Sequence, residues 1–541
     1  MNAMNLFEGL ESRRLMAFTG LPIQIGGTGW DFGQQVAATP DGGYIASGIF
    51  SGTVDFDPGA GQTRLTAKSD TDIYIAKYDA SSALQWVKQI GGTARQDGIK
   101  QFPRRIDIAA DPERAGGVFV NGVGQSPRAA GEYVNDVVVA VDGSIFLAGD
   151  FTGTVDFDPG AGTHTFKTFD TNYYDAFVLK LDSAGSFVWA DRFGDRFTDT
   201  ANAIALDSSN NVFVTGLFSR DVNFQPGTKT FKLSASGRED AYVLKLNSAG
   251  ALAWVNSFGG DSNGEAQRDV GNDLAVDSAG NVYVAGSFAA TADFDPSKTG
   301  VARLSTAGDT DGFLAKYSSA GRFRAVLPFR GTAFDALTSV AVDSNNDIIV
   351  AGYFQGKKFD YDPTAAVHNL IATPKDGDSD PKFLDVFVEK LARGRVAWVQ
   401  QLAGTGTELV GDMKLDSSDN IILSGSFYHT AKFGTAGPTV TSVLGSDFKD
   451  QNDDDRRNSY DAFVWKLSAT NGTTQWANTI GNEQDDFGVG IAVGSDDSVL
   501  LTGRFRNTVD FDTTAGTSLL TSVGLSDAFV AGFNVGGLPL T

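Results

Sequence analysis

The sequence predicts an all-β fold, a seven-bladed β-propeller built from four-stranded antiparallel blades. Three observations predict it. First, a Gly-x-Phe phrase recurs seven times, with the rings at Phe50, Phe151, Phe218, Phe288, Phe354, Phe427 and Phe505. The intervals of 101, 67, 70, 66, 73 and 78 residues exceed one hairpin and fall short of one domain. Second, each copy alternates apolar and polar residues around tight turns, with no helical period between them. Third, the last copy stops after its third strand, Asp527–Phe533, while the chain opens on an orphan strand at residues 21–27. That strand resembles the fourth-strand ending at residues 87–92, so it is expected to complete the last blade and close the ring. Closure would remove exposed strand edges.

The fourth copy, residues 272–331, shows the elements in order. Leu274 and Val276 lead into an Asp277–Asn281 turn, and Val282 to Val284 return from it as a hairpin. The second strand runs through Phe288 to the acidic phrase ending at Pro296, Gly312–Tyr317 form the third, and Phe323–Phe329 the fourth. The Gly-x-Phe pairs place a backbone and a ring between neighbouring blades. Trp86, Trp189, Trp254, Trp398 and Trp476 recur on fourth strands as packing residues. An Asp precedes every third strand, at 72, 175, 240, 311, 385, 461 and 527. In six copies a Lys follows five residues later, at 77, 180, 245, 316, 390 and 466. These acids and lysines are expected to satisfy turn amides and form ion pairs.

Composition narrows the function. The 541 residues carry 43 Lys and Arg against 66 Asp and Glu, a net charge of −23, which disfavours nucleic acid and anionic lipid as partners. There is no cysteine, so disulfide and thiolate chemistry are excluded. No apolar run is long enough to span a membrane as a helix. The start of the chain lacks the apolar stretch of a secretory signal. Phe7, Glu8, Leu10, Glu11, Arg13 and Leu15 instead resemble the FE-x-LE-x-R-x-L segment that opens many bacterial export-associated surface proteins. The alternative for residues 1–20 is a short amphipathic helix or tail.

Phrases such as Gly52-Thr-Val-Asp-Phe-Asp-Pro-Gly59, its copy at 153–160, and Asp175-Ala-Phe-Val-Leu-Lys followed by Trp189 closely resemble the bacterial SBBP-type β-propeller repeat family. The likeness covers nearly the whole chain. It implies a propeller on exported or surface-associated proteins and carries over no enzymatic activity. Three copies depart from the pattern: Asn223-Phe-Gln225, Lys432-Phe-Gly434, and Ala325 where Trp is expected.

The Asp-Phe-Asp phrases set two carboxylates on one side of a strand at Asp55/Asp57, Asp156/Asp158, Asp293/Asp295, Asp360/Asp362 (with Tyr361 between them) and Asp510/Asp512. Two alternatives stand for them. In one, calcium bridges each pair; in the other, one aspartate caps the following turn while its neighbour is solvated or paired with lysine. Asp376, Asp378 and Asp380 form a weaker calcium-loop pattern. Three irregular segments, 93–134, 374–383 and 445–459, are expected to crowd one face, because links between second and third strands and links between blades emerge together. His164, His368 and His429 stand at unrelated places in their repeats and offer little material for a metal site or general base.

The expectation is a single propeller over residues 21–541. It would act as a non-catalytic extracellular or cell-envelope scaffold, binding a protein or glycan partner through its loop-rich face, with calcium as the candidate cofactor. The alternatives are a carbohydrate-active or other hydrolytic propeller with carboxylates at the central channel, and a structural surface-array subunit.

Overall fold

The computed structural model describes residues 18–92, 131–225, 231–260, 268–297, 299–364, 366–374, 384–442 and 459–540. The export-like segment at Phe7–Leu15, Asp376, Asp378, Asp380 and most of the three irregular segments lie outside the described residues. Within them the chain is all-β, with antiparallel ladders throughout and no helix.

Four-strand antiparallel units follow one another along the chain. Unit one pairs Asp31–Ala38, Tyr44–Phe50, Asp72–Tyr78 and Leu84–Gly92 in that order. Unit two comprises Glu132–Val139, Ile145–Phe151, Asp175–Leu181 and Phe187–Phe193. Unit three comprises Thr200–Leu206, Val212–Asn223, Lys232–Leu246 and Leu252–Gly260. Unit four comprises Val270–Val276, Val282–Asp293, Arg303–Tyr317 and Phe323–Gly331. Unit five comprises Ala336–Val342, Ile348–Phe354, Asp385–Ala392 and Arg395–Gly404. Unit six comprises Glu408–Leu415, Ile421–Tyr428, Tyr460–Leu467 and Thr474–Ile480. In the last unit Phe487–Val493, Val499–Phe505 and Asp527–Phe533 are joined by Ile23–Gly27, with Ile23 opposite Val530 and Ile25 opposite Ala528.

First strands touch in cyclic order: unit one on two, two on three, and so on to seven, whose first strand touches that of unit one. Hydrophobic clusters lie between successive units. One joins Tyr44 and Tyr74 to Leu500 and Val530, and another joins Phe213 and Val243 to Val284 and Phe313. Sheets covered on both faces bury every residue of Ile145–Phe151, Asp150 included, where strict alternation would leave one face polar.

All seven repeated Phe rings are fully buried. The Gly two residues before each is required by close approach of the first strand. A β-carbon at Gly48 would stand 1.9 Å from the Phe32 carbonyl oxygen. In every unit the ladder between first and second strands carries a register shift just past that Gly.

Four of the five acidic phrases, and the equivalent strand Thr430–Phe433 of unit six, begin on hairpins that reach back to the preceding unit. Thr53–Asp55 pairs with Ile23–Gly27, Thr154–Asp156 with Leu84–Gly92, and Thr430–Phe433 with Arg395–Gly404. The hairpin therefore covers part of a neighbour's outer edge, which would otherwise stand open.

Candidate functional site

The five Asp-x-Asp phrases form one device. Asp55 Oδ1 accepts the amides of Asp57 (3.3 Å) and Thr63 (2.9 Å), while Asp57 Oδ1 accepts that of Gly59 (2.8 Å). The same bonds recur at Asp156 and Asp158, Asp293 and Asp295, Asp360 and Asp362, and Asp510 and Asp512. Asn223, the departure in the third copy, holds the amides of Gln225 and Phe231 as the aspartates do. These side chains are turn caps. Among the described residues no group of three or more histidine or acidic side chains is arranged to hold a metal ion.

The repeated lysines pair with a different aspartate from the one suggested by the sequence spacing. Five residues along a strand put Asp and Lys on opposite faces and opposite ends. Lys245, Lys390 and Lys466 instead reach the turn between first and second strands of their own unit, at Asp207 (3.0 Å), Asp343 (2.7 Å) and Asp416 (2.8 Å). The aspartate before each third strand does satisfy turn amides: Asp240 accepts from Ser236, and Asp527 from Val523.

Each of those third-strand aspartates faces an acid on the next unit that sequence reasoning missed. Asp240 stands beside Asp269, Asp311 beside Asp335, Asp175 beside Asp199, and Asp527 beside Asp31. Glu132 beside Asp72 and Glu408 beside Asp385 extend the series. Burial pushes Asp269 up to about 8 and Asp31 up to about 7, and in each case the neighbouring acid adds to the shift. Asp269 bridges the units by accepting the amides of Gly260 (3.0 Å) and Ala289 (2.9 Å).

A second set lies on the inner strands of alternate units. Asp136, Asp273 and Asp412 occupy the bulge of units two, four and six. Each takes the next amide of its own strand on Oδ1. On Oδ2 they take the amides of Ile204 (2.9 Å), Val340 (2.7 Å) and Ile491 (3.2 Å), each from the following unit. Lys414 Nζ donates to both oxygens of Asp412. Burial raises Asp136 to about 6 and Asp273 to about 7, against the opposing charge of Lys414. The signal in the sequence was an Asp at one repeat position in every second copy.

The least repetitive site is a cavity of about 650 Å³ lined by residues of unit five, including Tyr361, Asp362, His368, Arg393 and Arg395. Beside Gly394, one of its lining residues, a tryptophan of the repeat is missing. On other fourth strands the indole N–H donates to a carbonyl in the next unit's turn: Trp189 to Ser248 (3.3 Å), Trp254 to Ser319 (3.1 Å), Trp398 to Ala469 (3.2 Å) and Trp476 to Val535 (3.0 Å). Each ring lies against the left-handed Gly of that turn: Gly250, Gly321, Gly472 and Gly537. Unit four carries Ala325 instead, opposite Lys316 in the register that Trp189 holds opposite Lys180. The turn it would cover is shortened to Arg393-Gly394, both at positive φ, and a β-carbon at Gly394 would meet nothing within 4 Å.

Other departures gather at the same place. Tyr361 takes the position filled by buried Phe56, Phe157 and Phe294 in other units, and its ring stacks with that of His368 at 6.0 Å. His368 Nδ1 lies 2.8 Å from Asp362 Oδ2. Burial works against the Asp362 carboxylate, but bonds from Thr364 and His368 outweigh it and hold it below the ordinary range. Glu389 stands where Leu179, Leu244 and Trp465 stand in other units, fully buried, with neither carboxylate oxygen hydrogen-bonded. Burial pushes its pKa well above the ordinary range, and Asp362 and Asp360 add to the shift. His368 and His164, expected at unrelated places, occupy one repeat position, each donating its amide to the first Asp of its phrase; only His368 has an Asp362 partner on its ring.

The β-propeller repeat model of the SBBP family matches residues 258–287. The chain is 25% identical over 399 residues to an uncharacterized WD repeat-containing protein of Acanthamoeba polyphaga mimivirus, covering 63% of this chain and 28% of that protein. It is 23% identical over 417 residues to the regulatory protein FlaEY of Caulobacter vibrioides, covering 74% of this chain and 39% of that one. The chain therefore spans well under half the length of either relative. Among solved structures it resembles the quinohemoprotein alcohol dehydrogenase of Comamonas testosteroni (10% identity, TM-score 0.35, covering 95% of this chain and 68% of that one). It also resembles the intramolecular trans-sialidase of Ruminococcus gnavus (11% identity, TM-score 0.35, covering 95% and 96%). Likeness at that level carries no argument about activity.

Proposed function

We propose that this β-propeller repeat protein is a seven-bladed, ring-closed scaffold. It acts without catalysis at the cell envelope or outside the cell and binds a protein or glycan partner through the face bearing its three long segments. Closure is supported by the pairing of Ile23–Gly27 with Asp527–Phe533 and by the cyclic contacts of the first strands. The binding face is carried by one observation: the residues flanking the long segments sit on a common edge. Leu384, which ends the 374–383 segment, accepts the Glu408 amide at the start of unit six, and Tyr460, just past the 445–459 segment, accepts the Asp486 amide at the start of unit seven. Gly131, after the 93–130 stretch, accepts the Thr152 amide at that same edge of unit two. Insertions on a rigid repeat scaffold are where recognition is usually placed. A WD repeat-containing relative fits protein binding.

Catalysis is disfavoured by the bonding of Asp136, Asp273 and Asp412, whose oxygens hold strand amides and staple unit to unit. The test replaces 95–128, and separately 445–457, by short Gly-Ser linkers and reads binding to a printed glycan array and to envelope fractions. Loss of binding with an unchanged urea midpoint supports the reading. Full binding by both deletion variants would overturn it.

A further inference from the structure

We infer that the cavity of unit five is a binding site for a carboxylated sugar residue of the uronic acid class. The site stands apart from the loop-bearing face, at the turn end of unit five, so it goes beyond the function proposed above. Four observations lead to it.

One wall of the space is the turn glycine that an indole covers in other units. In four other units an indole lies flat on the left-handed Gly of the neighbouring turn. Here Ala325 leaves Gly394 uncovered, and the cavity that Gly394 lines, about 650 Å³, falls in the range of small-molecule pockets. A pyranose fits flat against such a surface through its C–H face.

The charges point to an anion. Arg393 and Arg395 are exposed at the rim, and among the described residues neither side chain makes an ion pair. Two guanidinium groups without ion pairs, Arg393 in the turn and Arg395 at the start of the following strand, form a local basic spot in a chain of net charge −23, with the fork geometry that binds carboxylate.

The remaining polar groups suit hydroxyls. Asp362 fixes His368 through Nδ1, which leaves Nε2 as the ring's outward hydrogen-bonding atom. Tyr361 brings a phenol where the repeat has Phe, stacked on that imidazole.

Glu389 supplies the independent sign of function. Strand alternation sets it on the face of Phe387 and Leu391, which pack with Phe359 and Tyr361 beneath the hairpin that lines the cavity. A buried carboxyl without a partner is costly where the repeat consensus has Leu or Trp. Such cost is retained where a site needs it. Inorganic anions alone would need the two arginines, but neither the uncovered turn glycine nor the buried acid.

The test is calorimetric titration of the full chain with trigalacturonate, an alginate trisaccharide, maltotriose and sodium sulfate. The wild-type protein should bind one of the acidic trisaccharides at least about tenfold more tightly than maltotriose, and sulfate should not match it. A325W restores the indole of the other units, and R393S/R395S removes the guanidinium groups. Each should weaken binding by about tenfold or more with the urea midpoint preserved. If A325W does not fold, the double variant decides alone. The inference is overturned by equal affinity for maltotriose, by sulfate binding as tightly as the sugar acid, by undiminished binding in the folded variants, or by no binding of either acidic trisaccharide at millimolar concentration. Its failure leaves the loop-face reading untouched, because that reading is tested by the deletions at 95–128 and 445–457 and this one by substitutions at 325, 393 and 395.

Discussion

Asp240 of unit three and Asp269 of unit four bring their carboxyl groups together at Gly259, where a β-carbon would stand 2.5 Å from Asp240 Oδ1 and 2.8 Å from Asp269 Oδ2. Two acids from different units thus share one buried site, and the absence of a side chain on the preceding unit's last strand makes room for them. Related pairs mark the other junctions, so the sheets are joined through groups whose charge depends on pH.

Stability should fall as pH rises from about 5 to about 8. Burial pushes Asp311 up to about 6, Asp31, Asp175 and Asp385 to about 7, and Asp269 to about 8. An acid with a raised folded-state value binds more protons folded than unfolded. Its favourable contribution is therefore present at low pH and lost as pH passes through that value. A tenfold change in the acidity of one such carboxyl on folding corresponds to about 1.4 kcal/mol. Below about pH 4 the trend reverses, because Asp277 and Asp416 are held low: burial opposes this, but asparagine bonds and lysine charges prevail. Urea midpoints at pH 5, 6.5 and 8 check this, and a midpoint rising with pH across that window would refute it.

Gly259→Ala should destabilise the chain by about 2 kcal/mol, because a methyl group there displaces two hydrogen-bonded carboxyls. Asp269→Asn should instead make the pH dependence shallower. Urea titrations of both variants at pH 5 and 8 separate the two effects.

Chelation should leave the melting temperature unchanged. The Oδ1 atoms of the Asp-x-Asp phrases hold backbone amides, which offset the repulsion that a calcium ion would otherwise be needed to relieve. A rise in melting temperature when millimolar calcium is added to chelator-treated protein would favour the cation-bridged alternative.

Asp416→Asn should cost about 3 kcal/mol, because Lys466 and Asp416 are both buried and the ammonium would lose its counter-charge. The exposed Arg64–Asp55 pair should give less than about 1 kcal/mol when broken. A double-mutant cycle on each pair measures the contrast.

The fold was legible because Gly48, Phe50 and their copies are imposed by packing that every unit repeats, and because the orphan strand at residues 21–27 betrays the phase. The junction acids were not legible. Asp31, Glu132 and Asp269 each follow links of different length, and nothing local shows that Asp527, Asp72 or Asp240 lies opposite. Spacing along a strand misassigns the lysine partners, because it says nothing about the turn beside it. Ala325 is visible as a departure, but its consequence needs Gly394, which belongs to the next unit. His368 shares its repeat position with His164, which the differing loop lengths hide, and only the fold brings Arg393 into the same cavity.

The chain has no cysteine, so a single engineered pair reports on closure without competition. Ile25 and Ala528 are directly opposed on neighbouring strands, at a separation a disulfide spans with little movement. In I25C/A528C, mild oxidation should give a monomeric intrachain disulfide in nearly every molecule and a raised melting temperature. Reduced thiols that stay free in the folded monomer, or disulfides formed only between chains, would mean that the first strand does not complete the last sheet.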